Sequence, residues 1–254
     1  MKPLDIDAVM KRLPGRRISY FDRLDSTMTE AARLAAKGAP AGTAVVAEEQ
    51  TAGQGRHGHS WHSEPGSGLY VTMVLRPKIE LASLPPVTLA LGLATAEAIA
   101  RVADLACDLR WPNDVMLGDR KVAGILAQLV DGTTVAGIGI NVNHAAFPEE
   151  VAGVATSLRI ASGRVHSRED LLVELLTAVD GFVRMLAEGG AGAILELFAR
   201  RSSYAKGKRV RVDQPGGAVT GTTAGLDGQG FLRVRRDSGD EILILAGGVR
   251  ALSD

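Results

Sequence analysis

The chain has 254 residues, 46% of them hydrophobic, enough to build one substantial domain and a small second one without disulfide staples. Its 29 basic and 29 acidic side chains cancel, which excludes a global field drawing it onto DNA, RNA or an anionic membrane, so any nucleotide must be held locally. The single cysteine, Cys107, cannot close an intrachain disulfide, no uninterrupted apolar run approaches the ~20 residues of a membrane helix, and Met1 to Pro14 is charged where a secretory leader is apolar. The expectation is a cytoplasmic protein.

Thr27-Met-Thr-Glu30 has the form of a capping box, a hydroxyl and a carboxylate that satisfy the first free amides of a helix running to about Lys37, where Gly38 stops it. Ala44 to Glu48 and Leu69 to Leu75 read as strands, the second with Leu69, Val71, Met73 and Leu75 on one face. Between them lies Gln50-Thr-Ala-Gly-Gln-Gly-Arg-His-Gly-His-Ser-Trp61, with glycines packed around Arg56. Glycine lets backbone N–H groups approach a charged ligand and a guanidinium adds a planar fork of donors, the chemistry of an anion-binding loop, although a plain turn has the same composition.

Pro85 and Pro86 open a long Ala/Leu-rich helix to about Val102, with Leu89, Leu93, Ala96 and Ala100 at helical spacing. Ala106 to Trp111, Val122 to Val130 and Thr134 to Val142 follow as short apolar strands, completing a mostly antiparallel mixed sheet. Ser167 caps a periodic helix carrying Leu171, Leu172, Leu175, Leu176, Val179, Phe182 and Val183, and a further helix runs from about Ala191 to Arg201. Near Tyr204 the patterning changes. Arg209 to Val212, Ala218 to Leu226, Phe231 to Arg235 and Glu241 to Leu245 alternate with turns at Pro215-Gly-Gly217, Asp227-Gly228 and Ser238-Gly-Asp240. Roughly five short strands in the last fifty or so residues read as a small barrel of SH3-like dimensions. The fold class is therefore α+β, a mixed-sheet domain with helices on its faces over residues 1–203 and a small β-barrel over 204–254. Lys206, Lys208, Arg209 and Arg211 alternate with valines as on the wet face of a strand, which argues against nucleic acid.

Two further segments carry chemistry. In Arg110-Trp-Pro-Asn-Asp114 followed by Gly118-Asp-Arg-Lys121, a strand, a turn and a returning strand bring Lys121 near Asn113 and Asp114. Asn113 can donate to and accept from a purine edge, Asp114 can hold a metal or a base, and Lys121 can place positive charge on a reacting carboxylate or phosphate. Equally, Asn-Asp after proline is an ordinary turn, and a lysine at the start of a strand is usually solvated. Gly124 weakens its apolar strand unless a ligand or another backbone comes close. In Gly137-Ile-Gly-Ile-Asn-Val-Asn143, alternating glycines clear one strand face and the period of two puts Asn141 and Asn143 on it, a bed for a flat ligand. As a dinucleotide fingerprint the segment lacks the third glycine and the following helix.

Together these segments resemble the biotin protein ligase family. Asp25-Ser-Thr27, Gln50-Thr-Ala-Gly53, Gly55-Arg-His-Gly58, Trp61, Trp111-Pro-Asn-Asp114, Arg120-Lys121, Ala123-Gly-Ile-Leu126 and Gly137 to Asn141 occur in that family's order with similar spacing, over essentially the whole chain. The resemblance implies a catalytic domain of the biotin/lipoate ligase type followed by an SH3-like domain, and the short stretch before the first core strand leaves no room for the DNA-binding domain of some members. It implies a reaction in two steps, in which biotin's carboxylate attacks the α-phosphorus of ATP to give biotinyl-5′-AMP and pyrophosphate, and a carrier-domain lysine then attacks the mixed anhydride. ATP and Mg²⁺ are the implied cofactors. The implied partner is the biotin carboxyl carrier domain of a carboxylase such as acetyl-CoA carboxylase, with no DNA and no membrane; exposed edge strands in either domain allow pairing into a homodimer, and the sequence leaves monomer and dimer both open.

By the same resemblance Lys121, Arg56 and Asp114 take the catalytic positions. Ser26, Thr27, Met28, Gln50, Gly53, Gln54, Gly55, Arg56 and Lys121 line biotin, with Gly124, Ile125, Gly137 and Gly139 beside its apolar body. Arg56, Trp61, Asn113 and Asn141 fall on the ATP side, and metal ligands stay unassigned. Gln54 and His59 stand where the family commonly has arginine, and Met28 where it usually has asparagine, which implies a weaker hold on phosphate. The alternative is a lipoate or octanoate ligase or transferase of the same fold, against which Gln-Thr-Ala-Gly and Trp-Pro-Asn-Asp weigh.

Overall fold

In the computed structural model, which describes residues 2–76, 84–214 and 216–252, the apolar alternation closes into one seven-stranded sheet. Its strands are β1 (Ile18–Leu24), β2 (Ala44–Gln50), β3 (Gly68–Leu75), β4 (Asp108–Arg110), β5 (Asp114–Leu117), β6 (Arg120–Val130) and β7 (Thr133–Asn141), in the order β1-β2-β3-β7-β6-β5-β4. Strands β1 and β2 are parallel and the other neighbours antiparallel. A parallel pair needs a crossover; α2 (Thr27–Ala36) supplies it, after α1 (Ile6–Arg12) at the start of the chain. The remaining helices are α3 (Pro85–Ala103), the short α4 (Glu149–Ala152) and α5 (Leu158–Ser162), and the long α6 (Arg168–Arg201).

The two faces of this sheet are covered unequally. On one, α3 and α6 share a continuous core with Leu69, Val71 and Met73 of β3 and Ile138 and Ile140 of β7. Helix α3 is long and apolar enough to cross a membrane, but it is a core helix, 78% buried over its most apolar window. On the other face α2 packs Met28, Ala31 and Ala35 against Val45, Val74 and Val135. With ten residues it is only ~15 Å long, so it covers one end of the strands. Beyond Val135 the same face of β7 continues as Gly137 and Gly139, and the loop leaving β2 lies over them. The site forms where the helical cover runs out.

Several boundaries differ from the sequence reading. Ser26, not Thr27, caps α2, its Oγ accepting from Met28 N at 3.2 Å, which releases the Thr27 hydroxyl to the interior. The strand expected over Ala106 to Trp111 contracts to Asp108–Arg110, because Trp111 leaves the ladder to bury its indole. Helix α6 absorbs both C-terminal helices, with a kink at Gly190 where φ is +69°, a conformation glycine reaches without Cβ strain. The small C-terminal β domain is an antiparallel sheet in the order β11-β10-β9-β8-β12, from β8 (Lys206–Gln214), β9 (Gly217–Leu226), β10 (Leu232–Arg236), β11 (Glu241–Ile244) and β12 (Gly248–Ala251). Strand β12 follows a glycine pair that hides its alternation, and in the turn before β9 Pro215 lies outside the described residues. Arg209 and Arg211 pair with Asp237 and Asp213, as befits a wet strand face.

A buried ion pair ties β2 to α6 and to the N-terminal segment. Arg168 Nη1 donates to Glu48 Oε2 at 2.9 Å, while Glu48 Oε1 accepts from Leu4 N at 2.6 Å and from the Tyr20 hydroxyl at 3.0 Å. Burial opposes the charge, but these bonds hold the Glu48 carboxyl below the ordinary glutamate range. Glu48→Gln strands the guanidinium without a counter-charge, and we expect a loss of ~3–5 kcal/mol in urea unfolding at pH 7. Because the folded value is depressed, the pair's contribution is complete above the unfolded value of about 4.3 and disappears as pH falls through the folded one. The variant's stability should therefore flatten over that range; parallel acid curves for the two proteins would refute the pairing.

Candidate functional site

Glycines make the floor of the site. A Cβ on Gly139 would fall 2.5 Å from the Trp61 indole, one on Gly124 2.8 Å from the same ring and 2.9 Å from the Lys121 side chain, and one on Gly137 2.7 Å from Met28 Sδ. Gly124 and Gly139 are direct partners across β6 and β7, so the clearing spans two strands. The flat group lying on it is Trp61, whose buried Nε1 has no hydrogen-bond partner among the described residues. What remains is a cavity of ≈ 50 Å³, room for a water or two.

The loop above folds back on itself. Gly55 N donates to His59 O at 2.7 Å and Trp61 N to Gly53 O at 2.8 Å, around a single 3₁₀ turn over Arg56–Gly58. The Gly55 amide, expected to meet an anion, is thus spent inside the loop. Gly53 stays off the cavity wall and serves close approach, since a Cβ there would lie 2.7 Å from Trp61 O. Gln54 reaches over α2, its Nε2 donating to Thr29 Oγ1 at 3.3 Å. Ser26 also stays off the cavity wall as the helix cap.

At the head of the cavity the Thr27 amide and hydroxyl both donate to Gln50 Oε1, at 2.8 and 3.0 Å, and Thr72 Oγ1 donates to Thr27 Oγ1 at 2.8 Å. Met28, Gly55, Ile125, Gly137 and Gly139 complete the walls as expected. Sequence reasoning missed Leu126, Tyr70 and Ile138, which line the cavity as ordinary strand residues with no motif to announce them.

At the other end the charges gather. Arg110 Nε and Nη2 donate to Asp114 Oδ2 at 3.1 and 2.7 Å, leaving Oδ1 for Lys121 Nζ at 2.5 Å. Burial disfavours the charge of Asp114, but the two cations hold its carboxyl below the ordinary aspartate range. Asp114 does not line the cavity, and both its oxygens are engaged by cations, which leaves neither free for the metal, base or catalytic task expected of it. Asn113 Nδ2 donates to Ile125 O and its Oδ1 accepts from Arg56 Nη1, both at 3.1 Å. Burial pulls the Arg56 guanidinium below the ordinary arginine range, with the charge of Asp114 working the other way. Among the described residues Arg56 meets no carboxylate within ion-pair distance, so a desolvated cation faces the cavity awaiting an anion.

A second cavity of ≈ 160 Å³ lies on the far side of Trp61 and Lys121, which border both, and Phe147, Val151, Val154 and Asn141 complete its walls. Lys121 N donates to Val154 O at 2.8 Å and Thr156 N to Lys121 O at 2.9 Å, so this wall is stapled to the lysine. The segment went unread because it is short and irregular; its signal was an exposed valine, Val154 at 63%. Asn141 reaches this cavity with its Nδ2 already donating to Thr156 O at 3.0 Å. Asn143 does not reach it: β7 ends at Asn141, and Asn143 exchanges bonds with the His166 backbone, each 2.9 Å.

A polar-headed pocket, two cations of which Arg56 lacks a carboxylate partner among the described residues, and an apolar annex sharing one indole suit the joining of an acid to a nucleotide, and known proteins decide the family. Residues 20–144 match the biotin/lipoate A/B protein ligase family and residues 207–249 the biotin protein ligase C terminal domain. Biotin--[acetyl-CoA-carboxylase] ligase of Mycobacterium tuberculosis is 32% identical over 257 residues, covering 97% of this chain and 94% of that one. The chain belongs to the biotin protein ligase family. Bifunctional ligase/repressor BirA of Bacillus subtilis is 35% identical over 234 residues, 89% of this chain and 71% of that protein. The solved biotin protein ligase from Aquifex aeolicus in complex with biotin and ATP matches with a TM-score of 0.83 at 32% identity, covering 94% of this chain and 99% of that one. The chain is therefore an ATP-dependent biotin ligase; the C-terminal match and the names of these relatives fall on the biotin side of a family that also includes lipoate enzymes.

Two outcomes follow from this geometry. The ligase has two tryptophans, of which Trp111 is buried at 2%, so Trp61, which borders both cavities, is the reporter of a ligand entering them. Tryptophan emission should change on saturation with biotin in the wild type and stay constant in Trp61→Phe; a silent wild type would mean that the indole holds its place. Asp114→Asn should lower kcat roughly hundredfold by releasing Lys121 while biotin affinity changes little, and an equal loss of both would contradict its positioning role.

Proposed function

We propose that this ligase seats biotin along the glycine floor, with its ureido head against Thr27 and Gln50 and its carboxylate between Arg56 and Lys121. ATP then lies beyond Trp61, its base toward Asn141, Phe147 and Val151. The observation that carries the reading is Arg56, a half-buried guanidinium whose hydrogen bond among the described residues goes to the Asn113 amide oxygen, in the cavity that Lys121 also lines. Gln50 supports the head assignment: its Oε1 is engaged twice by Thr27, which leaves Nε2 as the donor for a ureido carbonyl.

The chemistry brings two anions together. A biotin carboxylate oxygen forms the bond to the α-phosphorus, the bond from that phosphorus to the bridging oxygen breaks, and pyrophosphate leaves. A lysine amine of the acceptor then forms an amide at the activated carbonyl, and AMP departs with the bonding pair. Fixed cations at Arg56 and Lys121 offset the repulsion of the first step without reorganising as charge moves. No group of three or more His, Cys, Asp or Glu side chains capable of holding a metal occurs among the described residues, and Asp114 is committed to two cations. The residues thus do not fit a resident metal, and Mg²⁺ belongs to this reading as part of the Mg·ATP substrate.

The acceptor we infer is a lysine on the carrier domain of a biotin-dependent carboxylase, in keeping with the naming of the mycobacterial relative. The reading places the domain division at residues 203/204, the reaction in the cytoplasm without DNA or membrane partners, and homodimer pairing at the β1 edge of the sheet. The test is biotin-dependent exchange of labelled pyrophosphate into ATP. Wild type should exchange, and Arg56→Ala and Lys121→Ala should each lose about a hundredfold or more. Exchange driven by lipoate or octanoate but not by biotin would overturn the substrate.

A further inference from the structure

The motif residue left without a task is Trp111, and its surroundings give it one. The β4–β5 hairpin carries Arg110, Asn113 and Asp114, the residues that hold Lys121 and Arg56. Yet β4 has three residues and sits at the edge of the sheet, with a strand neighbour on one side only. So short an edge strand holds its place poorly on its own ladder. Its other side is gripped from the C-terminal part of the chain. The Trp111 indole, buried at 2%, donates from Nε1 to Gly230 O at 2.9 Å. Ser202 Oγ donates to Leu109 O at 2.5 Å, Ser203 N donates to Asp108 Oδ1 at 2.9 Å, and the Ser203 hydroxyl donates to Asp108 Oδ2.

The gripping turn is itself rigid. Asp227 Oδ1 accepts from Gln229 N at 2.9 Å and from Phe231 N at 2.8 Å, an Asx-type lock. Gly230 adopts φ +86° and is wedged so closely that a Cβ would meet the Leu195 side chain at 3.1 Å and Pro85 at 3.3 Å. Helices α3 and α6 therefore fix the carbonyl that receives the indole N–H.

We propose that Trp111 is a positioning residue through which the small C-terminal domain sets the hairpin, and with it the placement of Arg56 and Lys121 against the substrate anions. This rests on the assignment of those two cations to the reacting groups. The biotin head, held by Thr27 and Gln50 on α2 and β2, is independent of the hairpin and only the biotin carboxylate meets the two cations, whereas the phosphates of ATP depend on them throughout, so the ATP constants respond more strongly than the biotin Kd.

The measurement is steady-state exchange kinetics on the full chain, with the biotin Kd determined separately in the absence of ATP. Trp111→Phe keeps the ring bulk and removes the N–H. Its KM for ATP should rise about tenfold and kcat fall several-fold, the scale of one buried hydrogen bond lost with its acceptor orphaned, while the biotin Kd stays within about twofold. Ser203→Ala, an exposed change that spares the core, should move the same constants the same way by about twofold to threefold. Unchanged ATP constants in both variants, or equal losses for ATP and biotin, overturn the clamp. Arg56→Ala and Lys121→Ala are measured alongside: if they leave the ATP constants untouched, the cation assignment fails and the clamp with it. If they shift those constants and Trp111→Phe does not, the clamp alone is overturned.

Discussion

A carboxylate has two oxygens to share, and Asp114 gives one to Arg110 and the other to Lys121 from a position largely shielded from water. Burying such an anion is costly unless it is paired on all sides, and the pairing is what locks three strands together at their loop ends. Arg110 belongs to β4, Asp114 to β5 and Lys121 to β6, so the triad resists any slip between them. It also settles where the lysine ammonium goes, 5.4 Å from the centre of the Trp61 ring, between the two cavities. Neutral Asp114 would free both cations at once, so this one group holds Arg110 and Lys121 in place.

The second determinant is the mismatch in length between α2 and the strands it covers. A helix of three turns leaves the far end of a nine-residue strand bare, and a bare strand end with glycines is unstable alone. The glycine loop relieves this by laying Trp61 over Gly124 and Gly139, at the cost of a buried indole N–H with no partner among the described residues. The glycine floor is thus covered by a side chain that fits well in area and poorly in hydrogen bonding. That balance suits a cover which a better partner displaces.

The positions that depart from the family pattern take on structural roles here. Met28 belongs to the small core between α2 and the sheet, with its sulfur against Gly137; a thioether suits such an irregular gap. Gln54 bonds Thr29 across the loop, and nearby Arg110 directs two donors to one oxygen of Asp114. A lysine has no such fork.

Period and composition alone were enough to find the strands β2, β3, β6 and β7, the helices α2 and α3, and the small β domain, because these are long or strongly patterned segments whose faces must alternate between core and water. Arg56, Asn113 and Lys121 stood out from the sequence as glycine, amide and cation clusters, whereas Thr27, Gln50 and Trp61 entered as site residues only through the family resemblance; all six line one cavity. Tertiary structure decided the rest. That Ser26 rather than Thr27 caps α2, that Asn141 reaches a cavity and Asn143 does not, and that Asp114 is spent on two cations all depend on which distant group arrives first. The wall formed by Phe147, Val151 and Val154, and the bond from Trp111 to Gly230, join parts of the chain with no common pattern. A sequence carries the periodicity that forms elements, whereas a buried hydrogen bond is allotted only when packing has brought donors and acceptors within about 3 Å of each other.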